Sequence, residues 1–287
     1  MNRIALQAAA TMGVFLAHGA FGSSAWAADM PVRQVPPPPV VYDWTGLYIG
    51  GHIGGGWQGQ RFNDPVGYNT INATTNTDWF SAGPGAPNVS SNSFLGGLQA
   101  GANYQIGRLV LGSEFDVSWL HLNSSTTGAF AAAPPFPTFV GTESFSSSTN
   151  WVATATTRLG VARDTWLFYG KAGAAWAGST NGVSITAFNS AAPGVTTLAG
   201  TLNDTRLGWT VGTGIEWAFA KNWTTKLEYD YMDFGTRVEN ISTAGLTGAN
   251  GGAVAPFAAS IPVNVSKNVS LVKWGVNYKL DPGFLFW

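Results

Sequence analysis

The chain contains no cysteine, and only 10% of its 287 residues are charged. The lack of cysteine excludes a disulfide framework. Soluble domains carry about 25% charged residues, so the low charge argues against an ordinary soluble fold. Beyond the N-terminal stretch there is also no run of about 20 apolar residues, which a membrane-spanning helix needs. The net charge of −1 provides no basic surface, so we expect no nucleic-acid partner.

What the sequence does contain is alternation between large apolar and charged side chains. In residues 222–233 the apolar positions fall on one side of an extended strand and the charged ones on the other. The apolar set is Trp223, Leu227, Tyr229 and Tyr231, and the charged set is Lys226, Glu228 and Asp230. This pattern is typical of a strand with one face toward lipid and the other toward the lumen of a transmembrane β-barrel.

Eight segments repeat the pattern, and they predict an all-β, eight-stranded antiparallel barrel of the outer membrane. They are approximately 45–60, 93–105, 108–122, 149–163, 165–180, 205–219, 222–233 and 267–280. The connections at 105–108, 163–165 and 220–222 are tight, whereas those at 61–92, 123–148, 181–204 and 240–266 are long. Short periplasmic turns and long external loops are the known asymmetry of such barrels.

Large aromatic residues of these segments occupy the same alternate positions as the other apolar residues, and they predict a girdle at the lipid interface. The set is Trp57, Trp119, Trp151, Trp166, Trp176, Trp209, Trp217, Trp223, Tyr231 and Trp274. Trp166 and Trp176 would stand about 25 Å apart along the membrane normal, the height of the apolar band of an outer-membrane barrel. The alternative, a soluble β-sandwich, would need a mostly polar outer face.

Charged residues of the opposite parity predict a network inside the barrel. They are Glu114, Asp116, Arg158, Lys171, Arg206, Glu216, Lys226, Glu228, Asp230 and Lys273. An eight-stranded barrel is just wide enough for side chains to fill, and unpaired buried charge is costly. We therefore expect ion pairs that plug the lumen. A water-filled conduit lined by the same residues is the alternative.

The N-terminal 43 residues are expected to lie outside the barrel. Residues 1–27 have a basic start, an apolar stretch and a cleavage site at Ala25-Trp26-Ala27, which predicts a secretory signal peptide. A single-pass anchor is the weaker alternative, because Gln7, Thr11 and His18 interrupt the stretch. Residues 28–43, with prolines 36–39, are expected to form a periplasmic linker or a docking peptide, and 44–287 the barrel domain.

The sequence gives little sign of an enzyme. Outside the signal peptide only His52 and His121 are available as imidazole bases, and neither lies in a recognisable catalytic or metal-binding spacing. For His52 we expect a structural hydrogen bond to a lumen acid. We predict no catalytic residue, no metal and no cofactor. The long connections are neutral but carry Trp79, Phe80, Phe130, Phe136, Phe139 and Phe257, which suit either ligand contact or mutual packing.

Several motifs carry a family resemblance. Residues 44–51 (Trp-Thr-Gly-Leu-Tyr-Ile-Gly-Gly), followed by Gly-Gly-Gly-Trp at 54–57, resemble the first strand of the opacity-type, small porin-like outer-membrane immunogenic proteins of alphaproteobacteria. Tyr-Gly-Lys-Ala-Gly at 169–173, Leu-Glu-Tyr-Asp-Tyr at 227–231 and Gly-Val-Asn-Tyr-Lys at 275–279 are similar to later strands of that family.

The resemblance implies a surface-exposed barrel of the Gram-negative outer membrane. Its expected role is envelope integrity or host contact, with a small diffusion porin as the alternative and adhesion or haem capture by the loops as a remote one. The partners implied are outer-membrane lipid, lipopolysaccharide, the barrel assembly machinery and a possible surface ligand. Family members end on an aromatic residue, so either Leu280 or Trp287 would be the assembly signal here.

Overall fold

Eight antiparallel strands close into one barrel. The computed structural model describes residues 42–63, 88–131, 139–189, 194–242 and 260–280. The strands are β1 (Gly46–Asn63), β2 (Asn88–Ile106), β3 (Leu109–Ala131), β4 (Phe139–Arg163), β5 (Trp166–Asn189), β6 (Gly194–Ala220), β7 (Trp223–Ser242) and β8 (Ser260–Lys279). Each strand pairs with its neighbours in sequence, and β1 pairs with β8 to close the ring. The predicted fold class and strand number are therefore confirmed.

Three two-residue turns lie at one end of the barrel, where the sequence predicted tight connections. They join β2 to β3, β4 to β5 and β6 to β7. Gly107 and Asp164 take positive φ angles of 63° and 56°. Such angles suit Gly and, among other residues, Asn and Asp, so these turns reverse the chain with little strain. This is the periplasmic end, and no α-helix in the described ranges is long and apolar enough to span a membrane.

At the opposite end the strands run further than the alternation of apolar residues predicted. The expected loops at 123–148 and 181–204 are largely strand, because β3 continues to Ala131, β4 begins at Phe139 and β6 begins at Gly194. The outward residues of these extensions are polar, including Asn123, Ser125 and Ser146. The part of a strand that extends beyond the membrane needs no apolar outer face. A prediction based on lipid-facing apolar residues therefore places the ends of these strands too close to the membrane.

Local irregularities in the sheet change which residues face inward. On β4 the register shifts between Thr149 and Trp151, so that Val152 and Thr149 both point into the barrel. On β7 a second shift lies between Asp233 and Thr236, where Gly235 has a φ of 65°. A β-bulge adds one residue and reverses the parity beyond it. Position along the strand is therefore a safe guide to side-chain direction only between bulges.

Candidate functional site

The barrel interior is filled in four layers along its axis. From the periplasmic end these are an apolar plug, an ionic layer, a second apolar layer and a polar layer. The plug contains Trp44, Val110, Ala162, Leu167, Tyr169 and Ala218. The second apolar layer contains Leu95, Leu120, Leu122, Val152, Ala175, Ala177, Met232, Phe234, Val269 and Leu271. The charged side chains of the ionic layer therefore lie between two layers of buried apolar side chains.

Residues that immediately precede β1 complete the periplasmic plug. Trp44 is only 3% exposed, and its ring packs edge-on against Tyr42 at a centroid distance of 4.8 Å. The Tyr42 N–H donates to the carbonyl oxygen of Asp164 (3.3 Å), and the Trp44 N–H donates to Oε1 of Gln105 (2.8 Å). The space left below Asn103 and Glu216 amounts to about 10 Å³. That is room for about one water molecule.

The ionic layer contains nine of the ten predicted lumen charges. Its members are Glu114, Asp116, Arg158, Lys171, Glu216, Lys226, Glu228, Asp230 and Lys273, and each is at most 4% exposed. They come from β3, β4, β5, β6, β7 and β8. Each occupies a position of its strand at which the side chain points into the barrel. Because every second residue of a strand points inward, charged residues that are far apart in the sequence meet in one cluster. With His52 neutral, the five acids and four bases leave one negative charge in excess.

Lys273 on β8 contacts three acids of the ionic layer. Its Nζ lies 2.6 Å from Asp116 Oδ2, 2.9 Å from Glu228 Oε1 and 2.7 Å from Asp230 Oδ2. Asp116 belongs to β3, which is three strands away from β8 around the ring. The ammonium group therefore links the closing strand across the interior to β3.

Two further lysines are shared between the same acids. Lys171 Nζ lies 2.7 Å from Glu228 Oε1, 3.2 Å from Asp230 Oδ1 and 3.3 Å from Glu114 Oε1. Lys226 Nζ lies 2.8 Å from Glu114 Oε2 and 3.2 Å from Glu228 Oε2. Glu114, Glu228 and Asp230 thus each contact more than one cation. Buried charges are tolerated when several polar partners surround each of them, which is the arrangement here.

Arg158 joins the ionic layer to the periplasmic plug. Its Nη1 lies 3.1 Å from Glu216 Oε2, and its Nε donates to Asn103 Oδ1 (2.8 Å). The guanidinium group lies between the rings of Tyr48 and Tyr169, 4.8 and 5.1 Å from their centroids. Both hydroxyls donate to acids of the layer, Tyr48 to Glu114 (2.9 Å) and Tyr169 to Glu228 (2.7 Å). The tyrosines therefore neutralise no charge but fix the position of the carboxylates.

The two histidines lie on opposite faces of the wall. His52 is buried, its Nδ1 is 2.9 Å from Gln99 Oε1, and its Nε2 is 2.8 Å from the Ser118 hydroxyl. The sequence predicts a lumen acid as the hydrogen-bond partner, but Asp116 Oδ2 is 3.7 Å from Nδ1, and the hydrogen bonds of His52 go to an amide and a hydroxyl instead. His121 is exposed on the outer face. The structure thus does not bring the two imidazoles together.

Arg206 does not join the ionic layer. It lies in the polar layer at the external end, where it pairs with Glu239 and with Asp204 (Nε to Oδ2, 3.1 Å). Parity correctly places its side chain inside the barrel, but parity carries no information about height along the axis. The second apolar layer separates Arg206 from the nine other charges.

Sequence reasoning missed Glu239 and Lys267, the other buried charges of the polar layer. Glu239 has the same parity as the outward Tyr231 and turns inward only because the bulge at Phe234–Gly235 intervenes. Gly235 was the available signal, since an isolated glycine within a strand pattern marks a bulge. Lys267 stood at the boundary of a predicted strand.

The predicted girdle residues all lie on the outer wall. Trp57, Trp119, Trp166, Trp209, Trp217, Trp223 and Trp274 are 40–57% exposed. Trp151, Trp176 and Tyr231 are half-buried. Trp151 covers Gly178, whose missing side chain leaves space for the indole ring. Neighbouring rings pack together, with centroids 5.7 Å apart in Trp166–Trp217 and in Trp209–Tyr231.

Some sequence predictions fall on parts of the chain outside the described residues. These are the signal peptide, the linker up to residue 41, and Trp79, Phe80, Phe136, Phe257 and Trp287. Of the two proposed terminal signals, Leu280 is described, and its N–H donates to the carbonyl oxygen of Leu47 (2.8 Å). Phe130 and Phe139 lie within β3 and β4.

The comparisons with known proteins agree with this architecture. The family model "Outer membrane protein beta-barrel domain" matches residues 13–257. The chain belongs to this outer-membrane β-barrel family. It is 34% identical over 224 residues to the 31 kDa outer-membrane immunogenic proteins of Brucella melitensis and Brucella suis, covering 76% of this chain and 84% of each relative. The predicted resemblance and the location in the Gram-negative outer membrane are thereby confirmed.

Solved structures give weaker matches. The outer-membrane protease OmpT of Escherichia coli aligns with a TM-score of 0.40 at 8% identity, over 84% of this chain and 98% of its own. OprG of Pseudomonas aeruginosa aligns with a TM-score of 0.37 at 12% identity, over 83% and 99%. At these scores neither match bears on the activity of this outer-membrane barrel.

Proposed function

We propose that this protein is a structural and surface-contact barrel of the outer membrane, with a lumen closed to ions and no enzymatic activity. The observation that carries the proposal is the ionic layer, in which nine buried charges bridge the interior. A selectivity lining would need its charges to face water, whereas these face one another. Lipid and lipopolysaccharide contact the outer wall, and the barrel assembly machinery inserts the chain.

The apolar layers support closure independently of the charges. An ion entering from either end would have to cross a layer of mostly apolar side chains, and isolated charge in such surroundings is very costly. Removing one ion pair would therefore not by itself open a path. The alternative function, a small diffusion porin, requires a continuous wet route that these layers interrupt.

The extensions of the strands support the surface role. On β5, the chain from Ala177 to Asn189 continues beyond Trp176 for about 30 Å along the membrane normal. Its neighbours present uncharged hydroxyl and amide groups there, including Ser146, Thr201 and Asn203. Strands of this length extend well beyond the membrane, where a partner or a host surface can reach their outer faces.

Single-channel recording in planar bilayers tests the closed lumen. The mature protein, shown to be folded by its heat-modifiable mobility on a gel, is expected to produce no stable conductance steps. A conducting porin reconstituted from the same detergent serves as the positive control. Reproducible, ion-selective steps from the folded protein would overturn the proposal in favour of the porin.

Cysteine labelling tests the orientation and the exposed wall, because the natural chain has no cysteine of its own. With a membrane-impermeant maleimide on intact cells, Ser146→Cys on the external part of β4 is expected to label fully. Lys221→Cys in a periplasmic turn is the matched control and is expected to label only after lysis. The reverse pattern would show that the barrel is inserted the other way.

A further inference from the structure

The polar layer at the external end differs from the rest of the interior in its hydrogen bonding. Its side chains come from β1, β4, β5, β6, β7 and β8 and include Gln58, Gln60, Thr149, Asn181, Arg206, Glu239 and Lys267. Gln60 Nε2 reaches Asn181 Oδ1 at 3.4 Å, which shows that the layer spans the lumen from β1 to β5.

The amide and carboxylate oxygens of this layer already accept hydrogen bonds, whereas the hydroxyl groups of Ser147 and Ser179 do not. Gln58 Oε1 accepts from Thr149 (2.7 Å), and Gln60 Oε1 accepts from Gln58 (3.0 Å). Glu239 accepts from Asn181 (2.7 Å) through one oxygen and from Arg206 through the other. Asp204 at the rim is held by Arg206 and by the exposed Arg237 (3.4 Å).

Donors, by contrast, are left over. Lys267 is 2% exposed, and its Nζ has no hydrogen-bond partner among the described residues. The hydroxyl groups of Ser147 and Ser179, which flank Thr149 and Asn181 in the sheet register, are also buried without one. A buried donor without a partner costs about 1–3 kcal/mol, and a charged one costs more.

The charges of the layer, like its unpaired donors, favour a negatively charged guest. Among the side chains that the structure describes, Arg206 and Lys267 face one buried acid, Glu239, and Asp204 at the rim is shared by Arg206 and Arg237. With Lys267 protonated, these five described side chains carry one positive charge in excess. A guest that supplies only acceptors and one negative charge would satisfy both the charge and the spare donors.

We infer that the polar layer is a binding site for a small monovalent oxyanion, such as a short carboxylate, held by Lys267 beside Arg206. The ammonium group donates to the anion, and the anion replaces the acceptors that the protein does not provide. Charge-assisted hydrogen bonds of this kind are about twice as strong as neutral ones. The proposal does not depend on the closed lumen, because the site lies beyond the second apolar layer.

The ionisation of Lys267 supports the geometry. The residue lies beyond Val272 on β8, outside the apolar band, where the adjacent outward residue is Asn268. Burial, and next the positive charge of Arg206, lower the pKa of Lys267 to about 7 despite the opposing effects of Glu239 and Asp204. An anion is therefore expected to bind well below pH 7 and poorly above it.

Calorimetric titration of the folded protein in detergent with acetate is the test, because acetate keeps its charge between pH 6 and pH 8.5. Binding is expected at pH 6, and the affinity is expected to fall about thirtyfold at pH 8.5 as the protonated fraction of Lys267 decreases. Absence of acetate binding at pH 6, or equal affinity at the two pH values, would overturn the proposal.

Lys267→Met supplies the residue-specific control. It removes the donor and is expected to weaken acetate binding at pH 6 at least about tenfold. Lys221→Met makes the same substitution at an exposed periplasmic turn and is expected to bind acetate like the natural protein. Unchanged binding by folded Lys267→Met would also contradict the inference. Should that variant not fold, the pH comparison on the natural protein decides alone.

Discussion

The ionic layer and the polar layer occupy the same lumen and both contain buried acids and bases, yet their charge balance is opposite. In the ionic layer the acids outnumber the bases by one, and Asp116 Oδ1 and Arg158 Nη2 each lack a hydrogen-bond partner within the described residues. In the described part of the polar layer the bases are in excess, and the ammonium group of Lys267 has no hydrogen-bond partner. The first layer is closed by contacts between strands, whereas the second is incomplete without a guest.

The difference shows that the cost of a buried charge depends on what surrounds it. Lys273 and Lys267 lie on the same face of β8, and neither is more than 2% exposed. Lys273 has three carboxylates within 3 Å, while Lys267 has no ion-pair partner in the described part of the chain. Substitutions in the two layers are therefore expected to act in opposite directions.

The largest effect is expected for Glu228→Gln. Glu228 contacts Lys171, Lys226 and Lys273, so the neutral amide would leave three buried ammonium groups under-compensated. Breaking a buried ion pair from one side costs about 3–5 kcal/mol. Urea unfolding of the reconstituted barrel measures it. Asp233→Asn, at a partly exposed position on the same strand, is the control and is expected to change little; equal stability of the two variants would show that the ionic layer is not held by its charges.

A smaller effect of opposite sign is expected for Lys267→Met in a buffer without oxyanions. The pKa of Lys267 in the folded barrel, about 7, lies below its usual value of 10.5, so folding opposes protonation. This penalty is complete below pH 7, declines as the pH rises from 7 to 10.5, and is absent above that. The variant is expected to be more stable at pH 6 by on the order of 2 kcal/mol, with a smaller gain at pH 9.5.

Unfolding of Lys267→Met in urea at pH 6 and at pH 9.5 gives the comparison. Lys221→Met at both pH values corrects for any general effect of removing a lysine. A loss of stability at pH 6, or a gain independent of pH, would show that Lys267 is partnered in solution and that the two layers are alike.

Alternation alone predicted the strand number, the closed barrel and the inward direction of residues such as Glu228 and Lys273. This part is predictable because lipid imposes one apolar face on every spanning strand. Once the strands leave the membrane that constraint ends, so the extensions of β3 to β6 could not be located. The position of Arg206 along the barrel axis depends on the stagger between strands, and a bulge decides that the side chain of Glu239 points inward. The alternation of residues within a single segment predicts neither.

The position of Lys273 has a consequence for the order of assembly. β8 is the last strand to be synthesised, and its pairing with β1 closes the ring. Before that closure, Asp116, Glu228 and Asp230 lack the cation that lies among all three of them. Pairing β8 with β1 therefore also supplies the cation that these three acids share, and a barrel that opens at this seam loses the strand pairing and the shared cation together. Without β8 the acids of the ionic layer outnumber its bases by two, and with β8 in place they outnumber them by one.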